Sequence, residues 1–502
     1  MKRFLLLALS ALLLSSASAQ QSADTLRVAF EDAVFTLDSF ATSSRLSFVL
    51  AYNWGDTLIQ LDPETREYQP HLATSWEFID DTTLEIVLRD DVTFHNGDPF
   101  GPEDVKATLE YITDPNLSLP GTVTLQWIDE VEIVDDVTVR IHTDGVNPIA
   151  LESLSLQATI YPAAYIEENG IEIMATNPIG TGPYQFVSQT DSTIRFERYE
   201  DYFGGAKGQP DIGNLEIRII PEEAGRIAAL LSGEVEIVRG GTLSPDQALA
   251  VAGPARIETA NILRVFFLQM DVMGKSGSDV TTNLLVRQAI NHAINVEELV
   301  EAVLSGFGTP VVAPCNPAQV GCDSEFATTY DYDPERAREL LAEAGYPDGV
   351  SVTLFAASQQ QVAQAIQGYL AEVGIDANLA WFGGQGDVLA QRRAAGETEL
   401  HFGSWGSSSI FDASAILNIH FRQGEIYSYV DSESLEEALA TASNTLDPEA
   451  RLASYAEAIG EITSGAYTVP LYSVEAIAGV ANSVDWQPSP DELERYFLAS
   501  WQ

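Results

Sequence analysis

The chain has 502 residues, 45% of them apolar and 20% charged. That is enough to bury a large core, and by length enough for about three domains. Ordinary contents of glycine (36) and proline (23) exclude collagen-like or low-complexity sequence. Seventy-four acidic residues face 25 basic ones, a net charge of −49. Such a surface repels phosphate backbones and anionic headgroups, which speaks against nucleic-acid binding and membrane attachment. Lysine is confined to Lys2, Lys106, Lys207 and Lys275. An acid-rich, lysine-poor surface suits saline surroundings, where salt screens self-repulsion, and equally an ordinary acidic exported protein.

Residues 1–19 read as a signal peptide. Lys2 and Arg3 precede the apolar run Phe4 to Leu14, and Ala17-Ser18-Ala19 is a small-residue cleavage site. The run is shorter than the roughly 20 residues a membrane span needs. No cysteine follows it to carry a lipid, so the expected destination is the periplasm. Cys315 and Cys322 lie in one loop, APCNPAQVGCD. In an exported protein this pair reads as a disulfide; a metal site would need more ligands, and no histidine is near.

Thr25 to Phe30 (TLRVAF) begins the mature chain as a strand. Trp76 and Phe78, then Leu84, Ile86 and Leu88, alternate around Asp80-Asp81-Thr82 and predict a hairpin. Pro102 opens a helix carrying Val105, Leu109 and Ile112. Val131, Ile133, Asp135-Asp136, Val137, Val139 and Ile141 predict a second hairpin. Further on, Asn295 with Glu298 forms a capping box, Asp333-Pro334 starts a helix that Gly345 stops, and Gly374 ends a stripe from Val362 to Val373. Asp447-Pro448 opens another helix. Strand-like runs SVTLF (351–355) and DANLAWF (376–382) alternate with these helices, which is α/β organisation.

Enzyme motifs fail on inspection. Gly274-Lys275-Ser276 resembles the end of a phosphate loop, but Gln269 stands where the first glycine belongs. No G-x-S-x-G elbow exists, and the six histidines are scattered without metal-ligand spacing. Acidic pairs sit in turns, where aspartate is expected. No catalytic residue, cofactor or metal is expected.

Two stretches carry more. In residues 55–112, Leu72-Ala73 with Trp76, Leu88-Arg89, Val92, Phe94-His95, Gly97 and Asp104-Val105 stand in an ordered series. Ile179-Gly180-Thr181-Gly182-Pro183-Tyr184, Glu200-Asp201-Tyr202-Phe203 and Leu231-Ser232-Gly233-Glu234-Val235 follow, then VRQAINHAIN (286–295) and DYDPERARELLAEAGYPDG (331–349). This series resembles the family 5 extracellular solute-binding proteins, the peptide, nickel and glutathione receptors of ABC importers, over essentially the whole mature chain. By the residues alone, His95 reads as a fold residue beside a turn, and Gly180, Gly182 and Pro183 as turn formers.

The resemblance implies an α/β, two-lobe periplasmic binding protein fold (type II-like) with an inserted subdomain in lobe I. Lobe I would hold residues 20–265 and 470–502, with the insertion at about 47–178; lobe II would hold 266–469. Ligand would be trapped as the lobes close by hinge motion, a behaviour general to periplasmic binding proteins. The expected protein is a monomer that delivers a small or peptide-like solute to an ABC permease in the inner membrane. The alternative on the same fold is a ligand sensor or chaperone without transport.

Peptide-binding members resembling this chain use a W-x-x-D element whose aspartate pairs with the peptide ammonium. Here the segment is Trp405-Gly406-Ser407-Ser408, and an upstream acid is replaced by Ala33. The resemblance therefore puts ordinary peptides in doubt. Phe35, Tyr52, Trp54, Trp381, Trp405, Ser407, Ser408, Ser409, Asp412 and Tyr472 are the candidate ligand-binding residues, with His401, Phe421 and Arg422 behind them.

Overall fold

A computed structural model describes residues 24–502; the expected signal peptide lies outside the described residues. The chain forms two compact units. One holds the chain up to Asp144 with Ser153–Ala260 and Ala476–Gln502; the other holds Gly145–Glu152 and Asn261–Glu475. Of the four passages between units, two fall within long strands, Ala255–Met270 and Thr468–Ala481.

In the first unit, Thr25–Phe30 runs parallel to Asn214–Ile219, from Thr25 opposite Asn214 to Phe30 opposite Ile219. Its other edge pairs with Ile237–Val238. Beyond Asn214–Ile219 the strands Thr193–Arg198 and Tyr184–Gln189 continue antiparallel. Leu26, Val28, Leu215, Ile217 and Phe196 are buried, as the period of two requires. Both predicted hairpins form, and they join into one antiparallel sheet ordered Ala73–Asp80, Thr83–Leu88, Thr138–Thr143, Ile128–Ile133. Their turns are held locally. Asp80 Oδ1 accepts from the Thr82 N–H at 2.9 Å, and Asp135 Oδ1 from the Val137 N–H at 3.0 Å. The helix Pro102–Thr113 buries Val105, Leu109 and Ile112.

The second unit is a sheet ordered Ile375–Trp381, Val350–Ala356, Leu400–Trp405, Ala255–Met270. Val265 stands opposite Trp405 and Met270 opposite Leu400. The pleat divides these residues between two cores. Leu400, Phe402, Phe266 and Leu268 enter one, with the helices Leu284–Ala293 and Gln360–Glu372. Val265, Phe267 and Trp405 pack into the other, against Ser414–Phe421, Glu433–Ser443 and Pro448–Ser464. The predicted helix starts carry their caps: Asn295 accepts from the Glu298 N–H, Asp333 from the Glu335 and Arg336 N–H groups, and Asp447 from the Glu449 N–H.

Cys315 and Cys322 form the expected disulfide. At Gly321 the backbone has φ +82°, and an added Cβ would lie 2.0 Å from the Tyr455 ring. Packing on Pro448–Ser464 therefore shapes this loop as well as the bridge does. The chain-entropy model gives so short a loop about 2.5 kcal/mol. Cys315→Ser with Cys322→Ser should accordingly lower Tm by a few degrees in calorimetry and leave the fold intact. Two free thiols titrated in the unreduced, denatured protein would contradict the bridge.

Candidate functional site

The signature residues of the first unit form a clamp. Cβ atoms on Gly180 and Gly182 would lie 2.5 Å from the Trp54 carbonyl oxygen and carbonyl carbon. Only glycine lets these backbones approach so closely. His95 fastens the same turn. Its Nδ1 accepts from the Gly180 N–H at 3.3 Å, its Nε2–H donates to the Gly182 carbonyl at 2.9 Å, and burial lowers its pKa to about 4. A neutral imidazole with one donor and one acceptor fits this position.

Beneath the clamp lies a buried charge network. Lys207 Nζ stands 2.9 Å from Asp56 Oδ1 and donates to the Tyr52 and Gly55 carbonyls at 2.6 and 2.7 Å. His71 Nε2 meets the same Asp56 oxygen at 2.8 Å. Tyr52 bonds Gln60 and lies under both Lys207 and Arg495, which pairs with Asp491 at 2.7 Å. Tyr52 and Trp54, expected at the ligand, are thus buried packing residues of this unit. Phe35, by contrast, is 93% exposed.

In the second unit, period two puts His401, Gly403 and Trp405 on one face of their strand. The Trp405 indole Nε1–H donates to the Ala415 carbonyl at 2.8 Å, and the ring meets His420 edge-on at 5.1 Å. The tryptophan is therefore held in one orientation while remaining partly exposed. Behind it, Arg393 donates to Gln269 Oε1 and His420 Nδ1 and lies 4.4 Å from the centre of the Tyr427 ring. No carboxylate pairs with this guanidinium among the described residues, and burial lowers its pKa to about 10. Burial also holds His401 and His420 well below the usual imidazole range, with Arg393 adding to the effect, so both rings are neutral.

After Trp405 the backbone turns in an unusual way. Gly406 has φ −100°, ψ 9°. Ser407, Ser408 and Ser409 then have φ of 52°, 50° and 69°. Three successive non-glycine residues in the left-handed region carry strain of about 1–3 kcal/mol each, a cost that concentrates at functional sites. The turn closes with the Ile410 N–H donating to the Ser407 carbonyl at 2.8 Å. Ser407 is 1% exposed, and its Oγ has no hydrogen-bond partner among the described residues. The Arg264 guanidinium lies against Gly406: an added Cβ there would be 2.8 Å from Nη2.

The other candidates fall elsewhere. Asp412 is buried, with its carboxylate 2.5 Å from Arg451 Nη2 and accepting from the Tyr455 hydroxyl at 2.6 Å. It is a structural ion pair and not an open ammonium acceptor. Tyr472 is buried, stacks on Phe266 at 5.1 Å and bonds Gln359. Trp381 ends its strand 37% exposed. His401 and Phe421 are buried, and Arg422 pairs with Glu436 at 2.7 Å. Of the expected residues in the second unit, the structure gathers Trp405 and the three serines into one turn.

A model of bacterial extracellular solute-binding proteins, family 5, matches residues 67–428. The chain belongs to that family. The glutathione-binding protein GsiB of Pectobacterium atrosepticum is 30% identical over 393 residues, covering 74% of this chain and 73% of the relative. Heme-binding protein A of Haemophilus influenzae is 29% identical over 399 residues, covering 73% and 70%. Among solved structures, the periplasmic binding protein DppA of Helicobacter pylori, in complex with the peptide STSA, matches with TM-score 0.77 and 26% identity, over 95% of this chain and 98% of that one. By their names these relatives are binding proteins, and the chain shares the fold of the solved one.

As a family 5 chain, the protein keeps the signature glycines and His95 as fold residues. Reading the sequence missed Arg264, Arg393 and the Lys207 network. Lysine scarcity was one available signal, since a lysine retained in so lysine-poor a chain invites a structural reason. Arg264 gave none, because its place beside Gly406 exists only in the folded sheet. Among the described residues, no group of His, Cys, Asp and Glu is placed to hold a metal, and no helix is long and apolar enough to cross a membrane.

Proposed function

We propose that this protein is a periplasmic receptor that captures a small organic solute and hands it to an ABC permease, without chemistry of its own. The proposed ligand lacks a free α-ammonium, or places it away from Trp405, and lays a planar or apolar part against that ring. The observation that carries this reading is the state of the turn after Trp405. It offers serines where peptide-binding relatives have an acid, and Asp412 is already neutralised by Arg451. A serine hydroxyl gives a neutral hydrogen bond worth about 1 kcal/mol, where a charged one gives roughly 1.5–3. A buried ammonium would also keep its desolvation cost.

The relatives supply the probes. Glutathione, heme, the tetrapeptide STSA and N-acetylated peptides, screened by thermal shift and then calorimetry, should separate into binders and non-binders without turnover. A ligand at 100 times its Kd adds about 2.7 kcal/mol of stability. Trp405→Ala should weaken the best binder about tenfold or more. Submicromolar binding of unmodified peptides, lost on N-acetylation, would show that another acid takes the ammonium. Turnover of any probe would overturn the receptor reading.

A further inference from the structure

The turn after Trp405 has the geometry of an anion receptor. When a residue on the right-handed side of the backbone map is followed by one in the left-handed region, successive N–H groups converge on one side and form a nest for an anion. Gly406 (φ −100°, ψ 9°) followed by Ser407 (φ 52°) is that sequence of conformations. The N–H groups of Gly406 and Ser407 have no acceptor among the described residues, whereas those of Ser409 and Ile410 close the turn onto the Gly406 and Ser407 carbonyls. A second observation is independent of the backbone. Ser407 Oγ is buried in the same turn with no hydrogen-bond partner among the described residues. The third is charge: the Arg264 guanidinium lies against Gly406, with Nη1 3.4 Å from Ser404 Oγ.

Glu152, an acid that meets the segment, accepts from the Phe411 N–H, and burial pushes its pKa up to about 8. Ser408, the residue after Ser407, is exposed.

We infer that the nest formed by the Gly406 and Ser407 amides, with the Ser407 hydroxyl and Arg264, receives a carboxylate or similar anionic group of the ligand. This deepens the receptor reading and rests on it for the ligand, while the nest itself is testable without knowing the ligand. It also assigns a use to the backbone strain: a left-handed run of serines aims amides that a relaxed turn would direct elsewhere.

The test uses acetate as probe on the full mature protein, labelled with 15N-glycine and 15N-serine, the Gly406 and Ser407 amide signals being identified by substitution. Acetate should shift both signals saturably, and methylammonium should leave them in place. Arg264→Gln and Ser407→Ala, each first shown to melt within a few degrees of the parent, should raise the acetate Kd at least tenfold and about threefold. Gly406→Ala is a milder check, since its Cβ displaces the guanidinium while its φ remains ordinary for alanine; it should also weaken acetate binding. Unmoved Gly406 and Ser407 amides at 100 mM acetate would overturn the inference. So would a response to methylammonium in place of acetate, or an acetate Kd unchanged in Arg264→Gln. The receptor reading fails separately, if no solute in the screen binds or if one is turned over.

Discussion

Lys207→Met should destabilise the first unit by about 3–5 kcal/mol, the usual consequence of removing one member of a buried ion pair. Lys207 is only 5% exposed, and its three ammonium hydrogens are matched by Asp56 and by the Tyr52 and Gly55 carbonyls. Burial opposes ionisation of Asp56, yet Lys207 and His71 outweigh it and hold the carboxyl well below the ordinary range. Methionine fills similar volume but leaves that carboxylate, among the described residues, to His71, Thr181 and Tyr202. It also leaves two carbonyls without their donor. Urea unfolding reads the loss as a lower midpoint at unchanged slope. Asp56→Asn combined with Lys207→Met should recover part of it, because a buried pair removed whole costs less than a pair broken. A loss under about 1 kcal/mol in the single variant would mean that water or a rearranged His71 neutralises Asp56.

The second large effect is a dependence on pH through Glu494. Burial pushes its pKa up to about 7, against the pull of Arg239, the Tyr496 hydroxyl and the Gly240 N–H at 2.7 Å. Glu31 faces it and raises the value further, while Glu492 and Arg239 complete the charged surroundings. The folded state therefore holds a proton that the unfolded state has already released near pH 4.5. Stability from this group is fully present below the unfolded value and is lost as pH rises through about 7. The shift corresponds to a loss on the order of 3 kcal/mol. The buried histidines act in the opposite direction, losing stability as pH falls below their ordinary value, so the parent profile alone is not diagnostic. Glu494→Gln keeps an acceptor for Gly240 and does not titrate. The stability difference between parent and variant should therefore change by on the order of 2–3 kcal/mol between pH 5 and 8. Parallel profiles would show that Glu494 is ionised in the fold.

Much of the local structure was legible because its causes span three or four residues. Asp80 and Asp135 bond the amides two positions on, so both hairpins were visible from turn chemistry and alternation. Asn295, Asp333 and Asp447 cap the helices they precede for the same reason. The signature glycines were also readable as turn formers, though not their purpose, which is the approach of the Trp54 backbone.

The sequence by itself determined the family, the α/β organisation, the disulfide and the loss of an acid at the fourth position after and including Trp405. Only the tertiary structure decided which side chains remain open. Tyr52, Trp54, Asp412 and Tyr472 have the chemistry of binding residues, but each is buried against a partner far along the chain: Arg495, Tyr161, Arg451 and Phe266. Nor does local preference put three serines in the left-handed region, where a side chain crowds its own backbone. The turn that holds them runs from the strand Leu400–Trp405 toward the helix Ser414–Phe421, and Trp405 is tied to the Ala415 carbonyl within that helix. The nest, the unpartnered hydroxyl and Arg264 meet there through long-range packing, which no local pattern records.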